Sequence, residues 1–334
     1  MRLLIRPRLP VVALLLLAPS IPELLTGSTP VSRLLSDPIA FAVSYLFDVG
    51  LYGTGAFLVR ECSVLLRKGW ASVLLWGAAY GIAEEGLAVH TFFERSGPPV
   101  GALTTYGSAY GVNALWALGL TIFHATYSIA LPILLTYLWF PEVKDRRWVD
   151  RGGLVVVAAV YLGVVAVFAR LVGHGPSPPL LAVFLAIEAL LLLAGSLAPG
   201  KLLSSHPGPR TVGRGGLGVA GSLEWLAWVA VLAVSGGGRI PAAVAAGIIA
   251  LGNGGALTLV VRHAGSEDLD RSKFAFAVGM LVPLFVWDAI LEPAIPGILA
   301  VAALFAYLLY RLGRTLDRRA LALTGAGATA PSPR

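Results

Sequence analysis

Apolar positions along the chain gather into long runs rather than alternating or heptad patterns. A helix of about 20 apolar residues spans the hydrocarbon core of a bilayer. The pattern predicts ten such helices, over residues 9–25, 38–59, 70–92, 113–140, 151–172, 179–198, 221–235, 240–262, 273–291 and 294–311. Pro19 and Pro22 interrupt the first run, and the seventh is short. Residues 199–220 are rich in Gly, Pro and Ser and read as a flexible linker. Residues 94–112 read as a surface loop, with a structured lid as the alternative. Residues 320–334 read as a disordered cytoplasmic tail. No loop is long enough for an inserted soluble domain. The expected fold is all-α: one polytopic transmembrane helical bundle over residues 1–319.

Composition narrows the class. The chain has 334 residues, 57% of them apolar and 13% charged, against about 45–50% and about 25% in an ordinary soluble domain. A compact soluble protein cannot hide that much apolar surface. A soluble enzyme, a disordered chain and a disulfide scaffold are therefore excluded. The single cysteine, Cys62, rules out an internal disulfide and a Cys-built metal site.

Charge then sets an orientation. When alternate loops are assigned to opposite sides, 21 of the 25 Lys and Arg fall on one side. Only Arg33, Arg95, Arg170 and Arg239 fall on the other. The positive-inside rule places the richer side in the cytoplasm, with both termini there and the plasma membrane as the expected location. The asymmetry accounts for the net charge of +7 without nucleic acid, so the lipid bilayer is the expected partner. Arg2, Arg6 and Arg8 followed by an apolar run and Ala18-Pro19-Ser20 loosely resemble a signal peptide. Prolines around that site favour an uncleaved first span; cleavage would leave nine.

A few ionisable residues fall inside the predicted spans, where they are costly and point to function. At the helical rise, Asp48 lies about 15 Å from the outer end, Glu84 about 12 Å, Glu85 about 10 Å, His124 about 16 Å and Glu188 about 14 Å. All five share one band near the bilayer middle. Gly77, Gly81, Glu84, Glu85 and Ala88 follow helical spacing, and the Gly77–Gly81 step permits close helix approach. Asn113, Ala117, Thr121, His124 and Ser128 form a similar stripe on the next span. The two stripes can face each other. Two adjacent carboxylates in a low-dielectric site cannot both ionise cheaply, which suits acid/base work, and a nearby His can orient water or pass a proton. The bland alternative is that these groups only pair with one another and lock the helices together. Asn253, beside Gly252, Gly254 and Gly255, reads as a packing or kink residue. Asp288 and Glu292 read as an interfacial pair capping the turn at Pro293 and Pro296.

The pattern Glu84-Glu85, followed forty residues later by His124, resembles the CAAX-processing and bacteriocin-protection family of intramembrane glutamate proteases. That resemblance implies a water activated by glutamate and histidine, with Glu84, Glu85 and His124 catalytic. Val89 stands where that family has Arg and Leu120 where it has Phe, and its third motif is absent. A longer stretch, about 80–141, is similar to a group of uncharacterised prokaryotic membrane proteins. It carries Glu84-Glu85-Gly86, Phe92-Phe93, Tyr106-Gly107, Gly111-Val112-Asn113 and the run from His124 to Pro132. That likeness implies no activity but marks the third and fourth spans as the characteristic unit.

Three functional readings follow. One is a hydrolase with a membrane-embedded site at Glu84, Glu85 and His124, acting on a peptide or small molecule. The second is a proton- or cation-coupled transporter using Asp48, Glu84, Glu85 and Glu188. The third is a non-catalytic scaffold subunit. No nucleotide loop, metal-binding His pair or Ser/His/Asp arrangement is present, so no cofactor and no metal are expected.

Overall fold

The computed structural model describes residues 8–93, 106–172, 175–204, 211–235, 240–264 and 269–328. The chain is built of helices, four of which contain or end in a π-helical turn. α1 (Arg8–Pro19) passes into a π turn over Ser20–Leu24. A short α2 (Arg33–Ser36) leads to α3 (Pro38–Asp48), a π turn over Val49–Gly53, and α4 (Thr54–Leu65). Asp37 starts α3: its carboxylate accepts the Ala40 N–H at 3.0 Å, and Pro38 takes the first turn, where no N–H is needed. α5 (Trp70–Ile82) ends in a π turn over Ala83–Ala88. After a two-stranded hairpin, β1 (Ser108–Ala109) and β2 (Val112–Asn113), come α6 (Ala114–Phe123), a π turn over His124–Ala130, and α7 (Leu131–Trp139). The remaining helices are α8 (Arg151–Leu171), α9 (Pro178–Leu197), α10 (Arg214–Ser235), α11 (Ala242–His263), α12 (Leu269–Leu291) and α13 (Ile298–Ala328).

Among the described residues, seven helices are long and apolar enough to cross a membrane, rather than the ten expected. They are Pro38–Leu65, Ala114–Trp139, α8, α9, α11, α12 and Ile298–Ala322. The other three predicted spans correspond to α1, α5 and α10. α1 and its π turn are short, 12 and 5 residues. The continuation of α5 carries Glu84 and Glu85, which dilute its apolar character. α10 stops where the described residues do, at Ser235.

Two boundaries differ from expectation. α10 begins at Arg214, so the segment read as a linker over 199–220 is helical in its last part. Gly218, inside the segment read as a linker, and Gly221, at the start of the predicted span, are contact points. A Cβ on Gly221 would lie 2.2 Å from the Phe276 carbonyl oxygen, and one on Gly279 would lie 1.9 Å from that of Gly218. Ser222 Oγ donates to the Gly279 carbonyl at 2.9 Å. α10 and α12 thus touch backbone to backbone, which only small residues permit. At the far end α13 continues through Ala328, past the expected start of the tail at 320. Its Leu321, Ala322 and Leu323 are good helix formers. Residues 329–334 lie outside the described residues, as do 94–105 of the outer loop.

One apolar core joins α7, α12 and α13 around Tyr127, Leu281 and Leu312. A second joins α1, α4 and α5 around Leu14, Phe57 and Trp76. α8 contributes no buried residue, and Val155, Val156 and Leu162 are exposed, as a helix facing hydrocarbon would present them. Arg60, counted above as a loop cation, is fully buried in α4. It ion-pairs with Glu61 and donates to the carbonyls of Val143 and Lys144 at 2.9 and 3.0 Å. Its guanidinium lies 3.7 Å from the centre of the Trp148 ring. These contacts tie α4 to the loop before α8, and the fork of donors satisfies carbonyls that have no helical partner.

Candidate functional site

Backbone proximity places the site. A Cβ on Gly77 would lie 2.9 Å from Ala125 Cα, and one on Gly81 would lie 3.0 Å from His124 Cβ. α5 therefore lies directly against the π turn that carries His124, and Glu84 and Glu85, one turn further on, meet the imidazole. His124 Nε2 lies 2.9 Å from Glu85 Oε1. Its Nδ1 lies 2.9 Å from Glu84 Oε2 and 2.8 Å from Ser128 Oγ, the latter being the aligned hydrogen bond. Glu84 and His124 are each 2% exposed, and Glu85 is 8% exposed. The rings of Tyr52, Tyr80 and Phe123 pack around the imidazole at centroid distances of 5.9, 6.1 and 5.4 Å.

The cluster extends further than the sequence suggested. Tyr52 OH bonds to Glu84 Oε1 and also to Glu23 Oε1, the latter at 2.6 Å. Thr29 Oγ1 then joins Glu23 Oε2 at 2.9 Å to Asp48 Oδ2 at 3.1 Å. At the other end Thr91 donates to Glu85 Oε2, and Trp116 Nε1 donates to Thr91 Oγ1 at 3.1 Å. A single line of contacts thus runs Asp48, Thr29, Glu23, Tyr52, Glu84, His124, Glu85, Thr91, hydrogen-bonded throughout except at the Glu84–His124 ion pair.

Five members of this line stand on four π turns. Glu23 lies on the turn after α1, Tyr52 on the one between α3 and α4, Glu84 and Glu85 on the one after α5, and His124 on the one between α6 and α7. Their wider i→i+5 bonding is seen in Leu25 N–H to Ser20 O at 3.2 Å and Val89 N–H to Glu84 O at 2.8 Å. Such turns are rare, recur at functional sites, and re-aim the side chains they carry.

Proton counting constrains the line. A hydroxyl has one proton, so a hydroxyl bridging two carboxyls closes both bonds only when one carboxyl is protonated and donates back. Tyr52 bridges Glu23 and Glu84; Thr29 bridges Glu23 and Asp48. Glu23 offers a different oxygen to each bridge and carries at most one proton. Closing both bridges therefore takes two protons among Asp48, Glu23 and Glu84. At His124 both ring nitrogens meet carboxylate oxygens, a setting that a doubly protonated ring satisfies.

The same geometry offers a cation site. Glu84, Glu85 and His124 each present one ligand atom, all within 4.8 Å of one another. Carboxylate oxygen and imidazole nitrogen are both zinc ligand types, and three protein ligands would leave a coordination position open. The expectation from the sequence is no metal, since these ligands come from two helices without a short motif. A divalent cation here would take the place of the proton on the ligating ring nitrogen as the charge facing the two carboxylates.

Of the residues expected at the site, Glu84, Glu85, His124 and Ser128 come together, and Asp48 joins through Thr29 and Glu23. Asn113 and Glu188 do not. Asn113 lies in β2, where its Oδ1 accepts from Ser108 Oγ at 2.6 Å, because the helix starts one residue later. Glu188 faces a separate cavity between α4, α5, α8 and α9, lined also by Tyr80 and Tyr161. Glu23, Thr29 and Tyr52 were missed. Glu23 sits at the end of a Pro-interrupted run, and Thr29 and Tyr52 carry no sequence signal for such a role. Asp288 and Glu292 also part company. Glu292 accepts the N–H groups of Gly297 and Leu299 at 2.9 and 2.8 Å. Asp288 is fully buried and makes no such cap.

No curated protein and no solved structure matches the chain. The model of one family, described as an uncharacterized membrane protein family, matches residues 12–327. With that match covering nearly its whole length, this helical chain with a buried Glu-Glu-His cluster belongs to that uncharacterised membrane protein family.

Proposed function

We propose that the protein is a proton-coupled transporter of small solutes, with the linked acids as its proton-binding element. One observation carries the reading: four carboxyls and one imidazole, drawn from four separate helical segments, are joined into one line by two hydroxyl bridges and two direct imidazole contacts. A scaffold needs one or two such pairs to lock helices, and burying more charge than that is destabilising without function. Proton transfer along the line needs only small shifts of hydroxyl protons. In this reading the chain crosses the plasma membrane ten times, with the Lys- and Arg-rich loops and both termini in the cytoplasm.

The second reading is hydrolysis. It is favoured by Glu84 Oε2, a buried atom without an aligned hydrogen-bond donor, beside His124. That oxygen is a place for a water activated by glutamate and histidine. Its sealed surroundings favour protons over a peptide as the species that reaches it.

Reconstituted vesicles separate the two. A pH gradient is expected to drive accumulation of a small solute from a mixed panel into wild-type vesicles. Glu84→Gln and Tyr52→Phe should each lower that accumulation by about tenfold or more, as loss of a positioned proton-transfer group does. Unchanged accumulation in both variants, with peptide cleavage lost in Glu84→Gln, would reject the transporter and support the hydrolase.

A further inference from the structure

A further buried acid lies outside the line. Glu224, on α10, is 4% exposed, and one of its carboxylate oxygens accepts a bond from Thr126. It lines a cavity of about 320 Å³ bordered by α5, α6, the His124 turn, α7, α10, α11 and α12. That volume falls at the small end of ligand pockets, about 300–1,000 Å³. The walls are mostly aliphatic, among them Leu74, Leu75, Ile122, Leu257 and Val260. The inner end lies at Trp70 and Lys273. Met280, seven residues along the same helix, puts the deeper end about 10 Å further in.

The polar groups of the deeper end are acceptors. The Thr126 hydroxyl faces Glu224 and also the Ile122 and Phe123 carbonyls, at 2.9 and 3.2 Å, so its one proton is already shared among acceptors, and Asn253 Nδ2 donates to the Ile249 carbonyl at 2.8 Å. Asn253 Oδ1 is buried with no hydrogen-bond partner. α10 and α11 touch at this level, since a Cβ on Gly252 would lie 3.0 Å from Ala227 Cβ. Glu224 and Asn253 therefore present a carboxyl and an unpaired carbonyl from neighbouring helices to one apolar space. An anion or a pure acceptor finds nothing to bond there. A group with several N–H donors and a positive charge satisfies both, and the aliphatic walls suit an apolar body.

We propose that this cavity binds a small hydrophobic ammonium ion, with Glu224 as its counter-charge and Asn253 Oδ1 as a second acceptor. The site stands apart from the Glu84–His124 line and does not rest on the transporter reading. It would supply that reading with a substrate class, hydrophobic amines. The Thr126 that holds Glu224 sits on the same π turn as His124, so the two sites share one structural element.

The test uses the full chain in lipid nanodiscs with 1-naphthylmethylamine as probe and 1-methylnaphthalene as its uncharged counterpart, both followed by fluorescence. Saturable binding of the amine is expected. Glu224→Gln should weaken it by about tenfold or more, as loss of a charge-assisted bond does, and Asn253→Ala by about threefold. Glu224→Asp should retain part of the affinity, which covers a failure of the Gln variant to fold. Glu84→Gln should bind the amine as wild type does, so a failed relay leaves this result intact. The proposal is overturned if the amine does not saturate, if Glu224→Gln or Asn253→Ala binds it as tightly as wild type, or if the uncharged probe binds equally well.

Discussion

Tyr52 is the residue on which the proposed relay depends, because its one hydroxyl touches two carboxyls. Nothing in the sequence singles it out: a tyrosine in an apolar run reads as core. Glu84, Glu85 and His124 were legible because charge inside an apolar run is costly and the helical spacing put them on one face. Glu23 and Glu224 were not, since one sits beside two prolines and the other in a run that looked short. Glu292 is a different case, a surface carboxylate whose role follows from local bonding. The N–H groups of Gly297 and Leu299 hold its carboxyl below the usual carboxylate range. A group whose pKa falls on folding stabilises the fold above its unfolded value and loses that effect as pH falls through its folded value. Hydrogen exchange should therefore show the Gly297 and Leu299 amides protected at neutral pH and losing protection below the carboxylate range. Glu292→Gln should show no such acid-dependent loss; equal pH dependence in both proteins would contradict the capping role.

At the scale of elements, apolar run length located the helices, and the Gly77–Gly81 step correctly pointed to a close contact. The π turns were invisible, because an inserted residue within a helix leaves no propensity signature. The start of α10 was misread for a related reason. Glycine marks a linker or a tight helix contact equally well until the partner helix is known. Gly279 tests that contact. Gly279→Ala would place a methyl group against the Gly218 backbone, and overpacking of this kind costs about 1–3 kcal/mol. A fall in Tm is expected in thermal unfolding of the detergent-solubilised protein. Gly163→Ala on α8, where a Cβ meets nothing within 4 Å, should leave Tm unchanged or slightly raised, since Ala is the better helix former. Equal Tm for Gly279→Ala and wild type would contradict the backbone contact between α10 and α12.

For the whole molecule, charge asymmetry gives the proposed orientation, and the single cysteine makes it testable. In a Cys62→Ala background, Ser177→Cys and Lys201→Cys each introduce one exposed thiol, on opposite sides of α9. A membrane-impermeant maleimide should label the former in intact cells and the latter only after permeabilisation. The reverse pattern would invert the topology. What the whole molecule does rests on whether its buried acids hold protons. Infrared spectroscopy of the reconstituted protein at neutral pH reads this directly, through the carboxylic-acid stretch. Two protons among Asp48, Glu23 and Glu84 predict a protonated-carboxyl band in wild type. Glu23→Gln and Glu84→Gln should each reduce it by one carboxyl, because an amide donor then closes one bridge in place of a proton. A band of wild-type intensity in both variants would show that the line holds no protons and would contradict the account.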